Sequence, residues 1–596
     1  MKKLFISIIA LISANSFAQL YVSQNNYLFV RDNVLYVNQG INLQPDGNIY
    51  LRNEAQLVQG TTGSSTNRGL GKLSVFQEGT SDNFDYNYWS SPIGNASSSV
   101  GNEPFGITLL NRPTTLTAST PAIALPYDYA LNGVANPLQI ASRWVYRFVA
   151  SSSYAQWIYA GGTTTILPGE GFTMKGTSGT DNLNIEGNGV LNNPGGTGAQ
   201  RYDFRGKPND GTITVPVALN NSTLTGNPYP SALHVNAFLL DASNAACNGI
   251  AYYWEQDKAV NSHYLDQYRG GYGTFSPVSV SAPGVYVPAY FNSYNGDGSL
   301  NTAGTTSSNL SINRKYAPIG QGFMIYGVVN GNVTLKNSHR LYYKESAPLS
   351  DFERAQTSNI QTIDSVPQVP HLKINTILND QFTRQIALLF SPEATDGVDR
   401  GIDAMSVISD VPNDAYFFLD DTEYTIQGVA FDPNKRIPLG VKVAQGATLK
   451  FYIAEEINFD ESQDIFIYDS LDGSYHDIKN GNYEVTMPSG VFNNRFEITF
   501  TNGTLGVEEI TVAEFMILQD NFFETVTIQN PKNRDVKSVV LFDIGGKKLY
   551  ENDKLQSNTS YQFSTSGLSS GVYVIKLLTS DGLSFSQKLI ISKLKS

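Results

Sequence analysis

Cysteine is nearly absent from this chain of 596 residues, which contains one, Cys247. A single thiol cannot form an internal disulfide, so we expect burial of side chains alone to hold the fold together. Histidine is also scarce, and the five residues fall in no His-Glu-x-x-His or Cys/His spacing. Gly-x-x-x-x-Gly-Lys phosphate loops are missing too, and the one Gly-x-Ser-x-Gly match, Gly567 to Gly571, precedes a β-branched run where a nucleophile elbow would precede a helix. Nucleophilic and metal-hydrolase chemistry therefore find no support in the motifs.

Charge is also low, and positive charge is the rarer sign. Charged residues make up 16% of the chain, against about a quarter in typical proteins, and the net charge is -13. We therefore do not expect nucleic acid as a partner. The chain is instead rich in glycine (52), tyrosine (34) and phenylalanine (31). This composition is typical of uncharged, aromatic-rich β surfaces outside the cell.

Long hydrophobic runs are missing as well, since no segment reaches the roughly 20 apolar residues of a transmembrane helix. The N-terminus has Lys2-Lys3, then an apolar run from Leu4 to Ile12, then Ser16-Phe17-Ala18. Charged, apolar and small-residue regions in this order predict a signal peptide at residues 1–18. It would direct the chain across the inner membrane.

Turn signals dominate what remains. Asp-Gly and Asn-Gly pairs sit between apolar or alternating runs, as hairpins require: Asp46-Gly47, Asp210-Gly211, Asn330-Gly331, Asp472-Gly473 and Asn480-Gly481. Helical periodicity is scarce, with one exception at Ser231 to Leu240, where Ser231 is the predicted cap of a short helix. The predicted fold class is all-β, with multidomain β-sandwich modules ending in a small immunoglobulin-like C-terminal domain.

Three regions are predicted between residue 19 and residue 370. In residues 19–83, short apolar segments recur every six to eight residues, which fits either a short solenoid or a meander. Residues 84–345 contain a weak internal repeat: YWSSPIG at Tyr88 to Gly94 and LPGEGFTMKG at Leu167 to Gly176 resemble LTGNPYP at Leu224 to Pro230 and APIGQGFMIYG at Ala317 to Gly327. We interpret these as paired β-modules, the alternative being coincidence among Gly-Phe turns. Residues 346–370 are polar, contain three prolines and are predicted to be a linker.

Two β-domains are predicted to complete the chain, the first a β-sandwich domain at 371–503. The second covers residues 506–596, where Gly545-Gly546 and Asp581-Gly582 predict tight turns between apolar, β-branched runs. We expect Gly571, which opens one of these strands, to need a special backbone conformation.

The C-terminal region also carries an ordered set of motif residues: Asp543, Gly546, Leu568, Gly571, Tyr573, Gly582 and Lys588. In this order, spacing and terminal position they resemble the type A C-terminal sorting domain of proteins exported by the type IX secretion system of Bacteroidetes. One departure is that the Tyr-Pro-Asn-Pro opening of many members is replaced by TIQNPKN at Thr527 to Asn533. The resemblance implies delivery to the cell surface or the extracellular space. The implied partners are the type IX translocon and its outer-membrane shuttle barrel. The alternative is an ordinary immunoglobulin-like domain without a sorting role.

No cofactor is expected, apart from calcium as a candidate ligand. Asp396, Asp399 and Asp403 lie among glycines in a predicted loop, where carboxylate oxygens would suit calcium. The segment from Asn295 to Asn301 also has alternating oxygen side chains. Neither follows the EF-hand pattern, and the alternative is a set of turns in which Asp and Asn bond their own backbone.

Two functional hypotheses follow. The first is a non-catalytic, type IX-exported adhesin or gliding-associated surface protein that binds polysaccharide or other surface proteins through aromatic surfaces. The second is a secreted carbohydrate-active enzyme or polysaccharide-binding protein. No catalytic residues can be assigned, although Glu78, Asp82 and Asp85, or Asp257 and Asp266, are carboxylates that a glycosidase would use in pairs. A cleft with paired carboxylates would favour the enzyme, and flat aromatic patches would favour the binding protein.

Overall fold

The computed structural model describes most of the chain. The described residues are 19–196, 199–302, 312–350, 352, 368–407, 411–502, 515–553, 555, 557–582 and 584–593, without the side chains of 302, 382 and 383. The predicted signal peptide, most of the predicted linker and the start of the predicted C-terminal domain lie outside them. Strands account for 48% and helices for 5% of the structure, so the predicted all-β class is confirmed. The chain forms two compact units, one up to residue 501 and one from residue 502.

The first eight strands form parallel ladders. They are β1 (Leu20–Val22), β2 (Tyr27–Arg31), β3 (Val34–Val37), β4 (Ile41–Leu43), β5 (Asn48–Arg52), β6 (Gln56–Gln59), β7 (Arg68–Gly69) and β8 (Lys72–Glu78). The ladders are β1-β4-β7, β2-β5-β8 and β3-β6. A meander would pair consecutive strands antiparallel, whereas here the chain winds in coils of a solenoid. Ile41, Leu43, Ile49 and Leu57 point into these coils and are buried.

The solenoid continues into the next region through one sheet. β8 pairs antiparallel with β20, and the sheet runs in the order β12-β11-β20-β8-β5-β2. Strands from both sides of the predicted boundary at residue 83 therefore share one sheet and one apolar core.

The strands of the region from residue 84 to residue 345 are mostly short. They are β9 (Tyr86–Ser90), β10 (Ile93–Gly94), β11 (Leu110–Pro113), β12 (Ser119–Pro121), β13 (Ile123–Leu125), β14 (Gly133–Val134), β15 (Gln139–Ala141), β16 (Tyr146–Arg147), β17 (Ile158–Tyr159), β18 (Gly171–Lys175), β19 (Thr177–Ser178), β20 (Arg201–Pro208), β21 (Ile213–Val217), β22 (Ser222–Gly226), β23 (Ala232–His234), β24 (Ala251–Gln256), β25 (Arg269–Ser276), β26 (Val285–Val287), β27 (Asn292–Tyr294), β28 (Leu300–Thr302), β29 (Tyr316–Ala317), β30 (Gly322–Tyr326), β31 (Gly331–Leu335) and β32 (Arg340–Leu341). Short 3-10 turns lie at Ile107–Leu109, Ser142–Trp144, Tyr154–Gln156, Ala242–Asn244, Leu265–Gln267 and Asn337–His339.

The segments of the weak internal repeat form equivalent pairs of strands. β9 pairs antiparallel with β18, with Ser90 opposite Gly171, and β22 pairs antiparallel with β30, with Gly226 opposite Gly322. The two pairs contact each other reciprocally. A Cβ on Gly171 would lie 2.7 Å from the carbonyl oxygen of Thr225, and a Cβ on Gly322 would lie 2.6 Å from the carbonyl carbon of Tyr88. Glycine at both places is therefore required by the close backbone approach.

The α-helix of this region, α1 (Val235–Leu240), starts later than the sequence predicts. His234 caps it, since its Nδ1 accepts a hydrogen bond from the backbone N–H of Ala237 at 3.3 Å. Ser231 instead lies just before β23, where its hydroxyl accepts a hydrogen bond from Arg340. The predicted cap is therefore wrong, because a strand occupies the residues between Ser231 and the helix.

The rest of the first unit is one large mixed sheet of eleven strands. They are β33 (His371–Leu378), β34 (Gln381–Phe390), β35 (Ala404–Met405), β36 (Asp414–Leu419), β37 (Thr422–Val429), β38 (Arg436–Val443), β39 (Ala447–Ile457), β40 (Phe466–Asp469), β41 (Ser474–Asp477), β42 (Tyr483–Met487) and β43 (Gly490–Thr499). One apolar core joins this sheet to the preceding region, with Tyr252 and Met324 packed among Leu389, Ile402 and Ile426.

The second unit has two sheets around its own core. One is β44-β45-β48, and the other is β47-β46-β49-β50. The strands are β44 (Met516–Asp520), β45 (Thr525–Gln529), β46 (Val536–Asp543), β47 (Lys548–Asn552), β48 (Ser560–Ser564), β49 (Gly571–Thr579) and β50 (Ser584–Ile591). Tyr573, Ile575 and Leu577 share the buried face of β49.

Candidate functional site

The motif residues of the second unit begin at the turn between β46 and β47. The carboxylate of Asp543 accepts hydrogen bonds from the backbone N–H groups of Gly545 and Lys547, each at 2.9 Å. Gly546 has a φ of +80°, a backbone conformation that favours glycine. The Asp-x-x-Gly motif is therefore a turn stabilised by its own aspartate.

The next motif residues form the entry to β49. The hydroxyl of Tyr573 donates a hydrogen bond to the carbonyl oxygen of Ser569 at 2.8 Å, and Leu568 packs against the core. Gly571 does not have a positive φ, and a Cβ there would meet the Tyr573 ring at 3.6 Å, an ordinary contact. The expectation that Gly571 needs a special backbone conformation is therefore wrong.

The remaining motif residues lie at the last hairpin. Gly582 has a φ of +92° in the turn between β49 and β50, and its N–H donates to the carbonyl oxygen of Thr579 at 3.1 Å. Lys588 lies opposite Val574 on β50 and is exposed. The motif thus consists of two turns, a strand entry and an exposed cation.

The aspartates of the predicted calcium loop each have partners within the protein. Asp396 forms an ion pair with Lys435. Asp399 accepts hydrogen bonds from the backbone N–H of Thr395 at 2.6 Å and from its hydroxyl at 3.1 Å. Asp403 accepts from the N–H groups of Asp399 at 2.6 Å and Gly428 at 2.7 Å. In the described part of the chain, no group of three or more His, Cys, Asp or Glu residues is placed to hold a metal ion. Calcium binding stays a prediction.

The same loop docks the large sheet onto the preceding region. Arg400 donates hydrogen bonds to the carbonyl oxygens of Leu239, Asn244 and Cys247 at 2.5 to 2.9 Å. The second calcium candidate, around Asp297, forms a turn, since the Asp297 carboxylate accepts hydrogen bonds from the N–H of Ser299 at 3.0 Å and from its hydroxyl at 2.6 Å. These bonds lower the pKa of Asp297.

The candidate glycosidase carboxylates fall into separate groups. Glu78 forms an ion pair with Arg201. Asp82 and Asp85 are buried, and burial, followed by the neighbouring charge of Asp82, raises the pKa of Asp85 to about 7. Asp257 accepts a hydrogen bond from the backbone N–H of Ala259, which marks a turn. The charges of Asp82 and Asp257 both act on Asp85, so these three carboxylates lie near one another, whereas Glu78 is held by Arg201.

Aromatic side chains from four short segments meet at the surface of the first unit. We call the group of Tyr127, Trp144, Tyr146, Tyr154 and Tyr159 the aromatic patch. Tyr127, Tyr154 and Tyr159 are 42%, 51% and 45% exposed, and the other two are half-buried. Their ring surfaces are therefore accessible to a ligand.

Contacts among the rings hold the aromatic patch in place. Tyr146 lies opposite Tyr159 in the β16–β17 pair, with ring centroids 5.4 Å apart, and Tyr127 lies edge-on to Tyr159 at 5.3 Å. The Cζ atom of Arg143 lies 4.9 Å from the ring centroid of Tyr127 and 5.2 Å from that of Trp144. Such cation–π contacts favour a fixed arrangement.

A buried lysine supports the aromatic patch from inside. The Nζ atom of Lys175 lies 4.2 Å from the ring centroid of Trp144, hydrogen-bonds to the hydroxyl of Tyr268, and lies 3.2 Å from Nδ1 of His263. Burial lowers the pKa of Lys175 to about 7, and burial together with Lys175 lowers that of His263 to about 4. His263 also stacks on Trp144, with centroids 5.4 Å apart. The lysine thus positions the Trp144 ring.

Sequence reasoning predicted the character of this surface and not its position. The composition predicts aromatic-rich β surfaces, but the members of the aromatic patch reach one surface only through folding. The high tyrosine content was the available signal, and it carries no positional information.

Comparison with known families gives two matches. Residues 119–500 match the model described as Domain of unknown function (DUF8693), which covers more than half of the chain. The chain belongs to this family. The aromatic patch of this DUF8693 protein lies inside the matched residues. Residues 523–592 match the Secretion system C-terminal sorting domain and contain all seven motif residues from Asp543 to Lys588.

The second match decides the export route. The DUF8693 protein is a substrate of the type IX secretion system, and its second unit is the sorting domain. Export by this route leads to the cell surface or the extracellular space. Among the helices of the described residues, none is long and apolar enough to cross a membrane.

Comparisons with individual proteins are less informative than the two family matches. No curated protein matches the DUF8693 protein. Among solved structures, the central fibronectin-III array of RIM-binding protein is 10% identical, with 38% of this chain and 90% of that chain covered and a TM-score of 0.12. A polysaccharide lyase is 5% identical, with 39% and 41% covered and a TM-score of 0.12. The BSP domain of a biofilm-associated protein is 9% identical, with 76% and 88% covered and a TM-score of 0.12. Likenesses at this level carry no argument about function.

Proposed function

We propose that this protein is a non-catalytic binding protein of the cell surface that holds polysaccharide on the aromatic patch. The observation that carries the proposal is the cluster of accessible rings, of which Tyr127, Tyr154 and Tyr159 are each about half exposed. Large exposed apolar surfaces on proteins mark interaction sites. The faces of sugar rings are apolar and pack on aromatic side chains, so a polysaccharide fits the composition of this surface.

Polar groups on the aromatic patch match the edges of sugar rings. The hydroxyl of Tyr159 lies 3.2 Å from that of Ser142, and burial followed by a hydrogen bond with Tyr127 raises the pKa of Tyr146. The Tyr146 phenol therefore stays neutral at physiological pH and can donate to or accept from sugar hydroxyls. Arg143 adds a donor next to the rings.

Chemistry also favours a binding protein over a glycosidase at this surface. Glycoside hydrolysis uses two carboxylates that flank the scissile bond. Two of the candidate carboxylates, Asp82 and Asp85, are both less than a tenth exposed. A ligand on the aromatic patch would meet rings and phenols instead.

A glycan array tests the proposal with the purified, exported protein. We expect Tyr159→Ala and Tyr127→Ala to lower the affinity for the bound polysaccharide about tenfold each, since each removes a stacking surface. Tyr36→Ala is the matched control, because Tyr36 is 61% exposed on the solenoid. Equal binding by all three variants would contradict the proposal.

Roles in adhesion or gliding, and direct contact with the translocon and its outer-membrane shuttle barrel, extend this proposal. They are supported by the sorting domain alone. Attachment and spreading assays on cells that carry Tyr159→Ala in the chromosomal copy would test the adhesive role without changing the sorting domain.

A further inference from the structure

A cavity of about 400 Å³ lies where the solenoid meets the paired strands of the first unit. Its walls come from the β5–β6 turn, β8, the loop before β20, and the segment after β32. The polar side chains that line it include Glu54, Glu78, Glu186, Asn188 and Arg201. It is separate from the aromatic patch, since the two share no lining residue.

Two glutamates hold one buried arginine in this cavity. The Nε atom of Arg201 donates to Glu78, and its Nη2 atom lies 3.2 Å from Glu186. The side chain of Arg201 is 2% exposed, and those of Glu78 and Glu186 are 22% and 4% exposed. The arrangement is built into the fold, because β20 pairs with β8 so that Arg201 lies opposite Glu78.

The guanidinium group keeps one unused donor. Its Nη1 atom is buried and has no hydrogen-bond partner among the described residues. A charged, buried donor without a partner is destabilising, and Arg201 lines the cavity, so an acceptor on a ligand would satisfy Nη1.

The glutamates contribute acceptors. Glu186 accepts from the backbone N–H of Asn53 at 2.5 Å and from Asn188 at 3.5 Å, and burial raises its pKa. A carboxylate has about four acceptor positions, so Glu78 and Glu186 retain capacity for further donors. Glu54, which also lines the cavity, is held at a φ of +61° in a turn with Asn53, an uncommon conformation for a glutamate.

The combination selects one ligand chemistry. A simple cation would satisfy the carboxylates but not the arginine donor. An anion would be repelled by the carboxylates of Glu78 and Glu186. A hydroxyl group donates and accepts at once. We infer that this cavity binds a hydroxyl-rich sugar unit, with ring hydroxyls donating to Glu78 and Glu186 and accepting from Nη1 of Arg201.

Binding of monosaccharides tests the inference. The probes are glucose, galactose, mannose and N-acetylglucosamine at millimolar concentration, measured by saturation-transfer NMR and calorimetry on the full exported protein. We expect at least one of them to bind with a dissociation constant in the millimolar range. Absence of binding by all four would overturn the inference.

A steric variant locates the site without disturbing the ion pairs. Asn188 is exposed at the cavity wall, so Asn188→Trp should block entry and weaken binding at least about tenfold. Asn184→Trp is the matched control, because Asn184 is exposed on the same loop and does not line the cavity. Equal binding by these two variants would overturn the inference. Both variants are compared in a Tyr159→Ala background, which removes a stacking surface of the aromatic patch, so failure here and failure of the aromatic patch are distinguishable.

Discussion

His234 illustrates at the residue scale how one buried group couples the fold to pH. Only the neutral imidazole can accept the hydrogen bond that caps α1, because a protonated Nδ1 has no lone pair. Burial, with help from the charges of Lys315 and His339, lowers the pKa of His234 to about 4. The protein therefore keeps the cap intact through the whole neutral range.

Replacing this cap makes the coupling measurable. The pKa of His234 is lower in the folded protein than the ordinary 6.5, so its contribution to stability is present above pH 6.5 and is lost as the pH falls through about 4. Asn also caps helices but does not titrate. Between pH 6.5 and 4 the wild type should lose on the order of 1 kcal/mol more unfolding free energy than His234→Asn, as measured by urea denaturation. Identical pH dependence in both proteins would contradict the role of His234.

The loop from residue 391 to residue 403 shows at the element scale how one connection joins two β regions. Arg400 donates hydrogen bonds to three carbonyl oxygens of the preceding region. Within the loop, the N–H of Asp399 donates to the carboxylate of Asp403. Burial, together with the neighbouring charge of Asp399, raises the pKa of Asp403 to about 7, although the hydrogen bonds from two backbone N–H groups act in the opposite direction. The loop is thus stabilised by hydrogen bonds where the sequence predicts calcium.

Removing calcium distinguishes stabilisation of this loop by hydrogen bonds from stabilisation by a bound calcium ion. A calcium ion that binds the folded state raises the melting temperature by mass action. If hydrogen bonds alone hold the loop, the melting temperature should be the same in calcium chloride and in EGTA. Calorimetry of the wild type and of Asp399→Asn makes the comparison. A calcium-dependent rise in the wild type that Asp399→Asn abolishes would instead establish the calcium site.

The sequence predicts turns and strands better than it predicts which strands pair with each other. The Asp46-Gly47 turn follows from local backbone preference, since Asp46 has a φ of +57° and glycine tolerates the turn. Whether β2 pairs with its neighbour in sequence or with β5 one coil later is decided by distant residues, and no local pattern records it. The aromatic patch and the cavity are harder still, because Tyr127 and Tyr159, or Glu78 and Arg201, come together only through long-range pairing.

At the scale of the whole molecule, the division into two units separates transport from cargo. The sorting domain has its own apolar core, whereas the regions of the first unit share cores with one another. A unit with its own core folds without the rest of the chain. Export and ligand binding should therefore be separable by truncation.

Removing residues 506–596 tests this separation. The truncated protein should fold, with the same thermal unfolding profile for the first unit by circular dichroism, because no part of that core is removed. It should nevertheless accumulate in the periplasm, as judged by immunoblots of fractionated cells. The converse variant, a periplasmic reporter carrying residues 503–596, should appear at the surface or in the medium. Surface delivery of the truncated protein would show that export information lies in the first unit, while an unfolded truncation would show that the two units depend on each other.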